Sequence, residues 1–209
     1  MIVNPDIENY LRNLAPIPHP ILKEMEEYGK SCSFPIVGPL VGRFLYLMIE
    51  FGHVHTILEC GSGFGYAAAW MALALPENGN ITCIEYDSTN IKKAKEFLKR
   101  LEVIHKVSFI EGNAVECIQK VGHSLDMIFN DIDKSQYLTI LPHFVKRLRL
   151  GGVLISDNVL WKGLVAENDP DKTTKHIVAF NTALFNNKSL WTSIVPIRDG
   201  LSVSVKLKT

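Results

Sequence analysis

The chain has 209 residues and no net formal charge, because its 22 lysine and arginine residues balance its 22 aspartate and glutamate residues. This length suits one domain with a substantial core, so we expect residues 1–209 to form one domain. The charge balance argues against a nucleic-acid-binding surface, no apolar run is long enough to cross a bilayer, and no signal peptide is evident. The four cysteines form no C-x-x-C pair, and we expect them to be reduced and buried in a cytoplasmic protein.

The first 52 residues are predicted to be helical, as an N-terminal cover on a core that begins at residue 53. Helices are expected from Pro5, from Pro20 to Gly29, and over residues 40–48, with a stiff connector at residues 34–39. Three helices ahead of the first strand are more than the core needs. They could cover a ligand crevice or supply an interface between subunits.

Strands and helices alternate from residue 54 onward, which favours an α/β fold with a mainly parallel sheet. Strands are predicted at 54–59, 80–85, 107–110, 125–130, 152–156, 190–196 and 201–207. Helices are predicted at 64–75, 87–101, 136–148 and 173–186, with a short one ending near 121 and a polar loop at 166–171. Asp199-Gly200 signals a hairpin between the last two strands. In such sheets, ligands bind at the carboxyl ends of the strands.

The first strand leads into a glycine-rich loop, E-x-G-x-G-x-G, at residues 59–65. A dinucleotide fingerprint would need a glycine at position 66, which is Tyr66. Glu85 ends the next strand, where a carboxylate can accept two hydrogen bonds from a ribose diol. A tight turn without a ligand remains the alternative for the loop alone. The pattern resembles motif I of the class I S-adenosylmethionine-dependent methyltransferases, in which the acidic residue lies near the methionine part of the cofactor.

Polar side chains follow the fourth and fifth predicted strands. Asp131 and Lys134 come after the fourth strand, and Asp157 and Asn158 come after the fifth. Oxygen ligands of this kind suit a hard divalent cation such as Mg²⁺. The alternative is that Asp157 and Asn158 only turn the chain and that Asp131 caps the next helix.

The two polar segments read D-x-D-K-x-x-Y and D-N-x-L-W-x-G. They resemble those of the cation-dependent O-methyltransferases of the caffeoyl-CoA and catechol type, and the resemblance extends from about Phe34 to the C-terminus. It implies a Rossmann-like methyltransferase fold with a mostly parallel seven-stranded sheet, helices on both faces, an antiparallel C-terminal strand and extra N-terminal helices. It also implies a homodimer that methylates a small phenolic acceptor.

The same resemblance implies roles for individual residues. Asp131, Asp157 and Asn158 would bind Mg²⁺ or another divalent cation such as Mn²⁺ or Ca²⁺. Lys134 would act as the base beside Asp131, and Trp161 would lie against the acceptor ring. The residues expected near S-adenosylmethionine are Val37, Glu59, Gly61, Ser62, Gly63, Gly65, Tyr66, Glu85, Tyr86, Gly112, Asn113, Ala114, Asp131 and Asp133.

Two positions depart from that pattern, and a third residue, within it, could contact the substrate. Asn130 stands where the family usually has an apolar residue, so we expect it to form an additional hydrogen bond behind the metal ligands. Val37 stands where plant members carry a hydroxyl residue near the metal, so no metal ligand is assigned there. Arg198 could pair with an acidic group of the substrate, although an arginine in a hairpin is more often simply solvated.

The proposed chemistry has independent physical support. A neutral phenol is a poor nucleophile, whereas chelation of a vicinal diol by a cation stabilises its ionised form. A lysine beside that cation can accept the proton, and the protein then needs chiefly to align the two reactants. The rivals are a methyltransferase acting on nitrogen, protein or nucleic acid, a nicotinamide dehydrogenase, and a cofactor-binding scaffold without catalysis. Among the histidines, which lack metal-ligand spacing, only His19 is placed to approach a substrate.

Overall fold

A computed structural model describes residues 2–168 and 171–208. Within these ranges, seven strands form one sheet in the order β3-β2-β1-β4-β5-β7-β6. The strands are β1 (Thr56–Cys60), β2 (Asn80–Glu85), β3 (Val107–Glu111), β4 (Leu125–Asn130), β5 (Leu148–Ser156), β6 (Leu190–Val195) and β7 (Leu201–Lys206). Strand β7 runs antiparallel to both of its neighbours, and the other neighbouring strands pair in parallel. The predicted mostly parallel sheet with an antiparallel C-terminal strand is therefore confirmed.

Helices cover both faces of this sheet. They are α1 (Pro5–Leu14), α2 (Pro20–Ser31), α3 (Gly38–Gly52), α4 (Tyr66–Ala74), α5 (Ser88–Arg100), α6 (Ala114–Cys117), α7 (Tyr137–Arg147) and α8 (Lys172–Asn186). One apolar core lies between the sheet and α2 to α5 and includes Trp70 and Phe97. The other lies between the sheet and α6 to α8 and includes Phe144 and Phe180. No helix in the described ranges is long and apolar enough to cross a membrane.

Helix α3 packs closely on α4 because Gly42 faces the indole ring of Trp70. A Cβ atom on Gly42 would lie only 2.5 Å from that ring. The helix is longer than the predicted 40–48 segment. It begins early because Pro39 fits the first turn, where an N–H group would have no partner, and it continues to Gly52, after which His53 takes a left-handed conformation with φ of 47°.

Strand β5 begins at Leu148, four residues before the predicted start at Gly152. Its pairing with β4 shifts register between Leu125 and Met127, and Gly151 takes a positive φ of 76°. Such an irregularity lets the strand continue through Gly151 and Gly152. The helix predicted over residues 136–148 accordingly ends one residue earlier, at Arg147.

The predictions for cysteines and for the polar loop have mixed outcomes. All four cysteines are free, and Cys60, Cys83 and Cys117 are buried as expected. Cys32 is exposed, because it follows the last turn of α2 and its thiol faces the carbonyl oxygen of Tyr28. The loop predicted at residues 166–171 includes Asp169 and Pro170, which lie outside the described residues.

Candidate active site

A cavity of about 1270 Å³ opens at the carboxyl ends of the parallel strands. It is lined by residues at or just beyond the ends of β1 to β5, together with residues of the N-terminal segment. The predicted site residues that line it are Val37, Glu59, Gly61, Ser62, Gly63, Tyr66, Glu85, Tyr86, Gly112, Asn113, Ala114, Asp131, Asp133, Lys134, Asp157, Asn158, Trp161 and Arg198. Gly65 is not among the lining residues.

Each end of the glycine loop packs closely against a different part of the chain, and each contact requires a glycine. Gly61 takes a positive φ of 83°, and a Cβ atom there would collide with the carbonyl oxygen of Asp131. The loop can therefore approach the end of β4. Gly65 begins α4 and faces Ala94 of α5, so that a Cβ atom on Gly65 would lie 2.9 Å from the Cβ of Ala94. Gly65 serves helix packing rather than the cavity wall.

The carboxylate of Glu85 is fixed beneath the glycine loop. Its Oε2 accepts a hydrogen bond of 2.7 Å from the backbone N–H of Gly63, and its Oε1 accepts one of 3.0 Å from the N–H of Asp87. Each oxygen still has lone-pair capacity. A buried carboxylate held in this way can accept further hydrogen bonds from a diol in the cavity, while Tyr86 stands exposed at its mouth.

Glu59 is a buried acid at the end of β1. Burial raises its pKa to about 8, opposed by the hydrogen bond from the Cys83 thiol and reinforced by the charges of Asp131 and Glu85. Within residues 2–168 and 171–208, no cationic side chain forms an ion pair with it. A ligand that brings positive charge into the cavity would therefore be attracted to Glu59.

Two carboxyl groups and a carboxamide follow the ends of β4 and β5. Burial, and after it the charge of Asp131, raise the pKa of Asp157 to about 7, against the hydrogen bond from the N–H of Asn158 and the positive charge of Arg198. Burial also raises the pKa of Asp131, against the charge of Lys134. Two neighbouring acids of this kind are stabilised as anions by an added cation.

The donor set is compatible with a hard cation. The described ranges hold no cluster of three or more His, Cys, Asp and Glu side chains suited to a metal. The set is instead two acids, Asp131 and Asp157, with the amide of Asn158. Mg²⁺ commonly takes only one or two protein carboxylates and keeps its other positions for water or substrate oxygens, so these residues fit it.

Lys134 is held by three acceptors. Its Nζ donates to Oδ1 of Asp131 at 2.7 Å, to the carbonyl oxygen of Ile132 at 3.2 Å and to the hydroxyl of Tyr137 at 3.0 Å. Tyr137 is fully buried, and no role was predicted for it. The three-residue spacing from Lys134 at the start of a helix is the signal that could have identified this contact.

The hairpin between β6 and β7 fixes the side of the cavity that Trp161 and Arg198 line. The N–H of Leu160 donates to the carbonyl oxygen of Asp199 at 2.9 Å, which ties the segment after β5 to the hairpin turn. Trp161 lines the cavity with a left-handed φ of 42°, which is unusual for so large a residue. Arg198 donates from Nη1 to the carbonyl oxygen of Ile36 at 2.8 Å, so the hairpin also holds the N-terminal connector.

The N-terminal segment contributes residues that the sequence did not identify. Glu8 and Arg12 of α1 and Phe34 of the connector line the cavity, so α1 and the connector form part of its wall, whereas no residue of α2 or α3 lines it. His19 does not line it, and its Nδ1 instead accepts a hydrogen bond from the N–H of Ile21 at the start of α2.

Asn130, the polar residue at the end of β4, links this strand to its neighbour β5. The side-chain amide of Asn130 donates to Oγ of Ser156 at 3.4 Å, across from β4 to β5. The additional hydrogen bond expected of Asn130 therefore joins two strand ends behind the metal-ligand candidates. Asp133 is exposed, and its carboxylate accepts a hydrogen bond of 2.8 Å from the N–H of Ser135.

The chain is similar in sequence to known methyltransferases. A family model described as O-methyltransferase matches residues 14–207. A caffeoyl-CoA O-methyltransferase from Populus kitakamiensis is 30% identical over 215 residues, which cover 95% of this chain and 91% of that protein. The tapetum-specific methyltransferase 1 of Arabidopsis thaliana is 29% identical over 220 residues, with 96% and 93% covered.

Solved structures share the fold over nearly the whole chain. A methyltransferase from Geobacter sulfurreducens superposes with a TM-score of 0.86 at 26% identity, covering 100% of this chain and 98% of that one. An O-methyltransferase from Bacillus cereus, solved in complex with SAH, has a TM-score of 0.86 at 24% identity, with 96% and 97% covered. The latter likeness concerns the fold alone.

Proposed function

The chain belongs to the O-methyltransferase family, and we propose that it transfers a methyl group from S-adenosylmethionine to one hydroxyl of a vicinal diol such as a catechol. The observation that carries this proposal is the ion pair of Lys134 with Asp131 beside the glycine loop. The hydroxyl of Tyr137 connects Lys134 to the main-chain carbonyl oxygen of Asp157, the neighbouring acid. The Populus relative is named for a caffeoyl substrate, whose ring carries two adjacent hydroxyls. That agrees with a diol as the acceptor.

S-adenosylmethionine is the donor that the cavity favours. Glu85 offers a fixed carboxylate for the ribose hydroxyls. Glu59, a buried acid without a cationic partner in the described ranges, suits the positive charge of the donor.

Asp131, Asp157 and Asn158 would hold a divalent cation, with Mg²⁺ preferred and Mn²⁺ or Ca²⁺ as alternatives. When bound, such a cation supplies positive charge that stabilises the ionised form of an acceptor hydroxyl. The support is the donor chemistry of this set, together with the burial that makes two neighbouring anions costly without added positive charge.

Residues of the chain then accept the proton, hold the acceptor ring and position the donor. Lys134, whose Nζ is held in place by Asp131 and Tyr137, is positioned to take up the hydroxyl proton when it is in its neutral amine form. Trp161 forms a wall of the cavity against which a flat ring can pack. The glycine loop and Glu85 fix the donor, so that the acceptor oxygen and the methyl group can be aligned.

The direct test is methyl transfer from labelled S-adenosylmethionine to a panel of catechols, monophenols and amines. We expect transfer only to the catechols. Lys134→Ala should lower kcat by about 10²- to 10⁴-fold, the range for loss of a general base. Lys99→Ala, on the exposed face of α5, is the matched control. Undiminished turnover in Lys134→Ala would refute the role of that lysine, and methylation of amines or monophenols alone would refute the acceptor class.

We also propose that the chain forms a homodimer through its N-terminal helices. Helix α1 is amphipathic, yet it has no buried residue in the described chain. Its Tyr10 and Leu14 are exposed, and so are Leu47 and Phe51 of α3. Exposed apolar side chains on two helices that contact each other are typical of an interface. Sedimentation analysis of the Leu14→Glu, Phe51→Glu double variant should then give a monomer, whereas a monomeric parent protein would refute the proposal.

A further inference from the structure

Arg198 places a positive charge in the cavity that the proposed methyl transfer leaves unused. Its guanidinium lines the cavity and donates to one backbone oxygen, that of Ile36. In the part of the chain that the structure describes, no carboxylate lies within ion-pair distance of it. It does lie near enough to Asp157 for its charge to oppose the rise in pKa that burial gives that acid. Arg198 is therefore close to the proposed site of reaction.

A second guanidinium, from Arg12 of α1, converges on the same point. A Cβ atom built on Gly38 would lie 3.7 Å from Nη2 of Arg12 and 3.7 Å from Nε of Arg198. The charge of Arg12 is partly balanced, because its Nε and Nη2 donate to Glu8 at 3.0 and 2.7 Å. Arg198 has no such partner among the described residues. Two cations brought together in this way favour binding of an anion beside them.

The backbone conformation of Arg198 is a further sign of a functional role. Its φ of 49° is left-handed, a conformation that glycine adopts readily and that other residues adopt rarely. The surrounding turn holds it there, since the N–H of Gly200 donates to the carbonyl oxygen of Ile197 at 2.8 Å. Residues kept in such conformations cluster at functional sites. The hairpin thus presents an arginine where glycine would suit the backbone better.

We propose that Arg198, assisted by Arg12, binds an anionic group, a carboxylate or a phosphate, carried by the methyl acceptor. The inference rests on the proposed function and deepens it, because it makes the acceptors acidic catechols rather than neutral ones. The carboxylate of the methyl donor is the other source of the same chemistry. The experiment therefore needs separate arms for acceptor and donor.

The test measures binding by calorimetry with S-adenosylhomocysteine and Mg²⁺ present. The probes are 3,4-dihydroxybenzoate and 3,4-dihydroxycinnamate, each compared with its uncharged amide. We expect the wild-type protein to prefer at least one acid over its amide. Arg198→Gln should weaken binding of that acid by about tenfold, as expected for loss of a charge-assisted hydrogen bond, and leave the amide unchanged. Arg198→Lys should restore part of the preference, and Arg12→Gln should reduce it to a smaller extent.

Two further variants separate binding from folding. Arg198→Gly suits the left-handed backbone, so it should keep or raise the melting temperature while losing the preference for the acid. Arg100→Gln removes an exposed arginine paired with Glu24 outside the cavity and should change neither quantity. A preference for the acid that survives in Arg198→Gln and Arg198→Gly would overturn the proposal.

The donor arm measures the affinity for S-adenosylmethionine. If Arg198→Gln weakens donor binding and affects acid and amide equally, the anion is the donor carboxylate and the proposal is overturned. Because these are binding measurements, they distinguish the two sources of the anion whether or not turnover is observed. Absence of methyl transfer to any diol would contradict the proposed function, whereas equal binding of acids and amides would contradict only this inference.

Discussion

The phenolic oxygen of Tyr137 lies 3.0 Å from Nζ of Lys134. The same oxygen lies 3.0 Å from the main-chain carbonyl oxygen of Asp157, to which it can donate. Lys134 follows β4, and Asp157 follows β5. One buried hydroxyl therefore connects the proposed base with the neighbouring strand end, and it fixes Nζ relative to both acids.

Tyr137→Phe should lower kcat about tenfold, because Lys134 loses one of the partners that orient its Nζ. The free energy of unfolding should fall by about 1 kcal/mol, the usual net contribution of one hydrogen bond. Steady-state kinetics and urea unfolding measure the two effects. Tyr46→Phe on α3 is the control, with neither quantity changed. A loss of stability at unchanged kcat would mean that the hydroxyl is structural only.

Glu85→Gln should weaken S-adenosylhomocysteine binding by about tenfold or more. A carboxamide has one acceptor oxygen in place of two, so it cannot satisfy the N–H groups of Gly63 and Asp87 and also accept from a diol. Equilibrium binding by calorimetry is the measurement. Glu111→Gln, at the exposed end of β3, should bind normally. Unchanged affinity in Glu85→Gln would exclude this carboxylate from the donor site.

Asp126 should make the fold sensitive to acid. Burial favours a raised pKa for this group, but hydrogen bonds from Arg149 and from the backbone and side chain of Thr56, with that from the N–H of His55, lower it to about 2. A folded-state pKa below the usual 3.8 gives stability that is present above that value and is lost as the pH falls toward 2.

Urea unfolding of Asp126→Asn at pH 7 and at pH 3 tests this. The variant should be less stable than the wild type at pH 7, and the difference between the two proteins should narrow at pH 3. Glu27→Gln, on the exposed face of α2, should follow the wild type at both values. A difference that stays constant between pH 7 and pH 3 would show that ionisation of Asp126 does not contribute.

The positions that could be predicted were those with a local signal in the sequence. The glycine loop, Glu85 and the acids after β4 and β5 could be placed from sequence, because parallel strands bring their carboxyl ends to one edge of a sheet. The convergence of Arg12 and Arg198 could not be predicted, because it joins the two ends of the chain through Gly38. It depends on how the N-terminal helices pack, which no local pattern specifies.

Two details depend on contacts between residues that are far apart in sequence. Gly65 was expected near the cofactor, which stays a prediction; in the structure its missing side chain accommodates Ala94 of α5, a contact set by helix packing. The start of β5 was placed too late, because the register shift against β4, which no local pattern specifies, keeps Gly151 and Gly152 in the strand.

We propose that methyl transfer to a diol requires a divalent cation bound by Asp131, Asp157 and Asn158. The most direct measurement is transfer from labelled S-adenosylmethionine to 3,4-dihydroxybenzoate by protein that has been treated with EDTA and desalted, before and after Mg²⁺ is added. We predict that activity is lost on EDTA treatment and restored by Mg²⁺, and that Asp157→Asn is not restored at the same concentration. Full activity in the presence of EDTA would contradict the claim.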